Sequence, residues 1–333
     1  MEIAVIGGGS WGTALANHLA LNGNRVDLWV YEQELVAAIN QRHENELYLK
    51  QIPLHENLRA SNDLEACVAG KKLVLLVPPS QLMRRVIEPL IGKLDDEVLL
   101  VSASKGIEND SLMTMHEVLE ETLRPSFRGP MVFLSGPSFA REVAVKGPTA
   151  VVAASLDAAA ASVVQEVFSS DTFRVYTNDD VMGVELGGSL KNVMAIAAGV
   201  TDGLGFGHNA RAALITRGLA EMSRIGIAME GQASTFSGLA GMGDLVLTCT
   251  GDLSRNRTVG IELGKGRKLK EILAGMNMVA EGVKTTLSAY QLAQKIGVDA
   301  PIIEQMYAIL YQDKDPRVAF TDLMARDLKA ETL

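Results

Sequence analysis

Four short segments combine residue types whose spacing could do chemistry. The first, Gly7-Gly8-Gly9-Ser10-Trp11-Gly12, reads as Gly-x-Gly-x-x-Gly between an apolar strand and a helical stretch. In that spacing Gly7 allows a tight turn, Gly9 lets the backbone approach a pyrophosphate, and Gly12 lets the helix pack closely on the strand. The N–H groups at such a helix start face phosphate anions. An acidic side chain ending the second strand bonds the ribose 2′-OH of NAD, whereas an arginine accommodates the 2′-phosphate of NADP. Trp29-Val30-Tyr31-Glu32 offers Glu32 and no arginine close behind. That leans toward NAD, but the strand end can shift by a residue or two, so a dinucleotide of either kind is expected.

The other three segments carry cations. Lys105, in Ser104-Lys105-Gly106, and Gly136-Pro137-Ser138-Phe139-Ala140 both follow apolar strand runs. They therefore fall on the carboxyl edge of a sheet, where open α/β folds bind ligands. Taken alone, Lys105 is an ordinary solvated loop lysine, and its place beside a second Gly/Ser loop is what raises it. Lys191 and Asn192 stand in an apolar helical stretch behind Gly187-Gly188. Each glycine inside a helix costs about 1 kcal/mol relative to alanine, so close approach of a backbone or ligand must compensate. Lys191 is then either an edge residue or a partly buried functional amine. Ser254-Arg255-Asn256-Arg257 starts a helix with Ser254 as its cap. A guanidinium at a helix start suits a phosphate dianion, and equally describes an ordinary cap with solvated arginines. Asp244, in Gly243-Asp244-Leu245, reads as a second cap, a residue structural more often than catalytic.

The elements that must position these residues follow from periodicity. Apolar β-branched runs at 3–6, 25–30, 73–77, 97–101, 131–134, 150–153 and 173–176 alternate with helical stretches at 12–21, 81–91, 112–122 and 158–168. Such alternation predicts an α/β Rossmann-type N-terminal domain with a mainly parallel sheet. From about Asp179 only 3.6-period patterns follow, at 181–200, 209–229, 234–239, 256–263, 269–273, 284–296 and 301–310, with a last one closed by 322–330. This predicts an all-α C-terminal domain, with the change between 178 and 189. We assign an NAD(P)-binding domain to 1–188 and a substrate and catalytic domain to 189–333.

Composition bounds the function class. The chain has 333 residues, 47% hydrophobic and 21% charged, which is globular and long enough for two domains. A net charge of −9 argues against a nucleic-acid surface, which needs a basic stripe. Any bound phosphate must be held by local groups against that field. Cys67 and Cys249 fit neither a Cys-x-x-Cys nor a Cys/His ligand pattern, so reduced thiols and no metal site are expected. The chain opens on a strand without a basic leader, and no apolar stretch reaches the ~20 residues of a membrane span. A cytoplasmic protein without membrane insertion is expected.

Taken together and in order, these segments resemble the NAD(P)-dependent glycerol-3-phosphate dehydrogenases of bacterial type. The likeness runs nearly end to end, and also rests on Ser135-Gly136-Pro137-Ser138-Phe139-Ala140-Arg141-Glu142, Asn209-Ala210-Arg211-Ala212-Ala213-Leu214 and Thr248-Cys249. It implies reversible reduction of dihydroxyacetone phosphate to sn-glycerol 3-phosphate by NADH or NADPH, supplying phospholipid synthesis, and it allows a homodimer. It implies that Lys191 is the proton donor and acceptor at the substrate's C2 oxygen. Lys105, Gly136, Ser138, Asn192, Asp244, Ser254, Arg255 and Asn256 would form the substrate cradle with it. Ser10, Trp11, Tyr31, Lys105, Ala140, Arg255, Val279 and Glu281 would join Gly7, Gly9 and Gly12 around the cofactor. The two lysines would share one site although they come from different domains. Two positions depart from the family pattern: Tyr31 stands where His or Arg is common, and Glu281 lies in a variable form of its segment. The competing readings are a related two-domain hydroxyacid dehydrogenase, which needs a carboxylate clamp, and a non-catalytic NADH-binding redox sensor.

Overall fold

The computed structural model describes residues 1–276, 280–328, 330 and 331. They divide into two compact units, Met1–Lys105 with Met115–Val181, and Gly106–Thr114 with Met182–Leu333. The first unit is built on β1 (Glu2–Ile6), β2 (Arg25–Trp29), β3 (Leu58–Ser61), β4 (Leu73–Leu76), β5 (Leu99–Ser102), β6 (Met131–Ser135), β7 (Thr149–Ala154) and β8 (Phe173–Asn178). They form one sheet in the order β3-β2-β1-β4-β5-β6-β7-β8, parallel except where β6 meets β7. Its helices are α1 (Ser10–Leu21), α2 (Gln33–Arg42), α3 (Leu64–Val68), α4 (Met83–Ile87), α5 (Met115–Leu123), α6 (Ala140–Ala144) and α7 (Ala158–Phe168). β4, β5 and β6 are buried at every residue, as central strands covered by helices must be, and this explains why they read as apolar runs without alternation. The edge strand β3 buries only Leu58 and Ala60, too little pattern to be seen in advance.

The second unit contains α8 (Val181–Gly203), α9 (His208–Ala228), α10 (Ala233–Phe236), α11 (Asp244–Thr250), α12 (Arg255–Gly264), α13 (Leu269–Ala274), α14 (Glu281–Ile296), α15 (Pro301–Tyr311) and α16 (Pro316–Met324). No strand follows Asn178 among the described residues. Packing changes over at Val181/Met182, whereas the boundary read at 188/189 lies inside α8. Gly106–Thr114 packs with the helices although it precedes them by some seventy residues in the chain. Ile107 is fully buried in the helical core, and its carbonyl accepts from Ser288 Oγ at 3.1 Å. Among the described residues no helix is long and apolar enough to cross a membrane.

α8 is buried at every residue from Gly183 to Thr201. It crosses α12 with backbones in contact. A Cβ on Gly199 would lie 2.1 Å from the Arg257 carbonyl oxygen, and one on Gly260 2.0 Å from that of Ile196. Only glycine permits this approach.

A second constraint is a buried charge. Glu221 of α9 is 1% exposed and accepts N–H bonds from Ile302 (3.0 Å) and Ile303 (2.8 Å) in the first turn of α15. Burial pushes its carboxyl from 4.5 up to about 7, against the two donors that favour the ionised form. In this window the folded state holds a proton that the unfolded chain has released, so stability falls as pH rises and is level above the folded value. Between pH 4.5 and 7 the carboxyl should remove about 3 kcal/mol of stability. In urea titrations from pH 5 to 8, Glu221→Gln should lose that part of the slope while the parent keeps it. Identical slopes would contradict the assignment.

Candidate active site

The carboxyl edge of the first unit is shaped by glycines of two kinds. Gly7 has φ +121°, and a Cβ there would sit 2.8 Å from the Val77 carbonyl. A Cβ on Gly12 would meet the Gly7 carbonyl oxygen at 1.9 Å. The protein itself requires both. Gly9 has an ordinary φ of −67°, and a Cβ there would meet nothing within 4 Å. It caps α1 without a side-chain bond. An open space over a helix start with no side-chain cap fits the diphosphate of a dinucleotide. Gly8, which the motif leaves free, is also constrained, since its Cβ would lie 2.3 Å from Val30 Cγ1.

Several other proposed cofactor contacts belong to the first unit. Ser10 Oγ donates to the Tyr48 carbonyl at 2.8 Å. Trp11 packs on the core with its indole Nε1 buried and without a hydrogen-bond partner. Tyr31 is 75% exposed and meets Trp29 edge to face. β2 stops at Trp29, so Glu32 is no strand-end residue but the N-cap position of α2. Its carboxylate accepts from Tyr48 OH at 2.5 Å. Burial first, and the Glu32 carboxylate next, push Tyr48 up to about 12, so it remains a hydrogen-bond donor. No local pattern links these two residues, and sequence reading missed the pair. Farther along the edge, Lys105 Nζ (2.9 Å) and Ser138 Oγ (3.0 Å) both donate to the Gly136 carbonyl, while Ala140 opens α6.

In the second unit Lys191 is 8% exposed, which decides for a buried amine over an edge residue. Its Nζ lies 3.1 Å from Asp244 Oδ1 and donates to Thr248 Oγ1 at 3.0 Å. The Thr248 hydroxyl donates in turn to the Asp244 carbonyl at 2.6 Å. Asp244 is thus the first residue of α11, not a cap, and turns its buried carboxylate toward the amine. Thr248 was overlooked; its position four residues after Asp244, on the same helix face, is the signal that could have found it. Burial pushes the neighbouring Cys249 thiol up to about 12, so it stays protonated and unreactive.

One residue further along α8, Asn192 Oδ1 accepts from Asn256 Nδ2 at 2.9 Å, and Asn256 Oδ1 accepts from Gly282 N at 3.0 Å. This fixes the amide of Asn256 and leaves it one N–H to offer. Ser254 caps α12 as read, accepting from Arg257 N at 3.2 Å. The two arginines of this turn differ. Arg257 is held by Asp202 (2.8 Å) and Asp252 (3.0 Å). Arg255, exposed at the first position of α12, has no hydrogen-bond or ion-pair partner among the described residues. A free guanidinium beside a helix start has the chemistry to hold a phosphate dianion. Glu281 opens α14, and Val279 lies outside the described residues.

Comparison with known proteins covers nearly the whole chain. Residues 2–161 match the family model of the NAD-dependent glycerol-3-phosphate dehydrogenase N-terminus, and residues 180–321 match that of its C-terminus. A glycerol-3-phosphate dehydrogenase (NAD(P)+) of Syntrophotalea carbinolica is 61% identical over 331 residues, covering 99% of both chains. One from Citrifermentans bemidjiense is 61% identical over 330 residues, covering 99% of this chain and 98% of the relative. The crystal structure of glycerol-3-phosphate dehydrogenase from Coxiella burnetii superposes with a TM-score of 0.93 at 43% identity, covering 98% of this chain and 99% of that one.

The two kinds of glycine make separable predictions. Gly9→Ala should melt within about 1 °C of the parent, yet bind NADH at least about tenfold more weakly in a fluorescence titration, a loss near 1.4 kcal/mol. Gly12→Ala should lower the melting temperature itself. Equal thermal loss in both variants would remove the distinction.

Proposed function

The chain belongs to the NAD-dependent glycerol-3-phosphate dehydrogenases, and on that premise we propose that it reduces dihydroxyacetone phosphate reversibly to sn-glycerol 3-phosphate with NADH or NADPH, supplying glycerophospholipid synthesis. The observation that carries the reading is a buried amine, Lys191, in the same helical unit as the unpaired Arg255 guanidinium. A ketone that carries a phosphate needs both a proton donor and a dianion site.

When bound, the nicotinamide cofactor supplies the hydride for the C2 carbonyl. Lys191 Nζ donates a proton to the C2 oxygen, and its charge offsets the alkoxide as that forms. Solvent then restores the proton. In the reverse direction the neutral amine takes the proton of the C2 hydroxyl. Asp244 and Thr248, one turn apart on α11, hold Nζ in place, and burial excludes competing water contacts. Arg255 and the N–H groups of the α12 start grip the phosphate, with Ser254 closing the turn and Asn256 presenting its remaining N–H. Binding energy from this non-reacting group orients the reacting carbon. Lys105, Gly136 and Ser138 of the first unit are the remaining residues assigned to substrate binding. Gly7, Gly9, Ser10, Trp11, Gly12, Tyr31 and Ala140 hold the dinucleotide in the first unit. The same reading makes the enzyme cytoplasmic and allows a homodimer, which light scattering would reveal at twice the chain mass of 35.7 kDa.

Arg255→Ala should weaken dihydroxyacetone phosphate binding by about 2–4 kcal/mol, the usual loss when one partner of a desolvated charge pair is removed. Activity on unphosphorylated dihydroxyacetone should hardly change, and an equal loss on both substrates would reassign Arg255 to the fold or cofactor. Parallel assays should find both NADH and NADPH turned over, because neither an arginine nor a strand-end carboxylate selects between them. Complete inertness of one cofactor would show this reading of Tyr31 and Glu32 to be wrong.

A further inference from the structure

The peptide preceding Asp244 is not α-helical. Leu239–Gly243 is a π turn, closed by Gly243 N donating to the Gly238 carbonyl at 3.0 Å. Such turns are rare, and they are frequent at functional sites. Two absent side chains make this one feasible. A Cβ on Gly241 would meet the Phe236 carbonyl oxygen at 2.1 Å, inside the turn. A Cβ on Gly187 of α8 would meet the Ala240 carbonyl oxygen at 2.6 Å and the Gly241 Cα at 3.4 Å. The π turn therefore rests directly on the backbone of α8.

The register of that contact is informative. Lys191 follows Gly187 by one helical turn on α8, and Asp244 follows Ala240 by one turn on the opposing segment. The backbone contact and the ion pair are stacked on the same two elements, about 5–6 Å apart. Asp244 is 2% exposed, so no solvent can stand in for its carboxylate if it moves. Its 3.1 Å approach to Nζ leaves only a few tenths of an ångström before hydrogen-bond geometry is lost, near 3.5 Å. A methyl group on residue 187 would demand a displacement of that size. Glycine in a helix interior is destabilising in its own right, and this contact is its compensation.

We infer that Gly187 and the π turn Leu239–Gly243 act as a spacer that sets the Asp244 carboxylate, and through it the Lys191 ammonium, at working distance from the substrate oxygen. Gly187 is thus a positioning residue. The inference rests on the reading of Lys191 as proton donor.

The test uses the full chain with dihydroxyacetone phosphate and NADH. Gly187→Ala should lower kcat at least about tenfold, with both KM values within about threefold, and should displace the limb of the kcat–pH profile. In an Asp244→Asn background the same substitution should cost less than about threefold more, because the group it displaces is already neutral. Deleting Met242, which is 44% exposed within the turn, removes the extra residue without opening the core and should reproduce the loss. It carries the same outcomes if Gly187→Ala fails to fold. A parental kcat and pH profile in Gly187→Ala, or losses that multiply fully with Asp244→Asn, overturn the spacer. Lys191→Met separates the two levels. If it still turns over, the reading of Lys191 falls; if it is inactive while Gly187→Ala behaves like the parent, only the spacer falls.

Discussion

Helix α8 is approached backbone to backbone from two sides, and the placement of Lys191 and Asn192 depends on those approaches. At Gly187 it admits the π turn before α11, and at Gly199 it admits the first turns of α12. Lys191 and Asn192 lie between the two contacts. Each approach brings one partner to them: Asp244 and Thr248 from α11, and Asn256 from α12. Because the contacts are between main-chain atoms, they have none of the slack that rotating side chains would allow. The result is an amine and an amide whose hydrogen-bond directions are set by helix packing.

Charge is arranged as economically at the start of α12. The chain is acidic overall, yet it must hold a dianion. Asp202 accepts from both Arg211 (2.6 Å) and Arg257 (2.8 Å), so these guanidinium groups serve the packing of α8, α9 and α12. Arg255, two residues before Arg257 on the same helix start, is left over. With the structural arginines neutralised locally, Arg255 is the cation left without a partner at this helix start among the described residues, where the helix dipole favours an anion. In the first unit the same economy appears in glycine: Gly7 and Gly12 answer to the protein's own backbone, while Gly9 leaves room that no protein atom uses.

Much of this was legible from the chain because it is local. Strands β1, β2 and β4 to β8 follow from short apolar β-branched runs, the long helices from the 3.6 period, the phosphate loop from glycine spacing, and the α12 cap from Ser254 three residues before the N–H it satisfies. Elements with little periodic content escaped: β3 with two buried residues, the short α3 and α6, and the polar-surfaced α2. The carboxylate read as a strand-end residue, Glu32, turned out to begin a helix, since strand ends are set by pairing with a neighbour and not by composition.

Sequence by itself determined which residues could do chemistry and on which kind of element each would ride. Tertiary structure decided their partners. Lys191 and Thr248 are 57 positions apart, Asn192 and Asn256 are 64, and Ser288 reaches across 181 positions to Ile107. No local rule reports such pairings, because they arise from how closely two helices can pack. That distance is fixed by which side chains are missing at the crossing. The two glycines before Lys191 were visible as a helical liability from the first reading, but only the fold shows that Gly187 faces the Ala240 carbonyl. A gap in one helix acquires a meaning only when the neighbour that fills it is known.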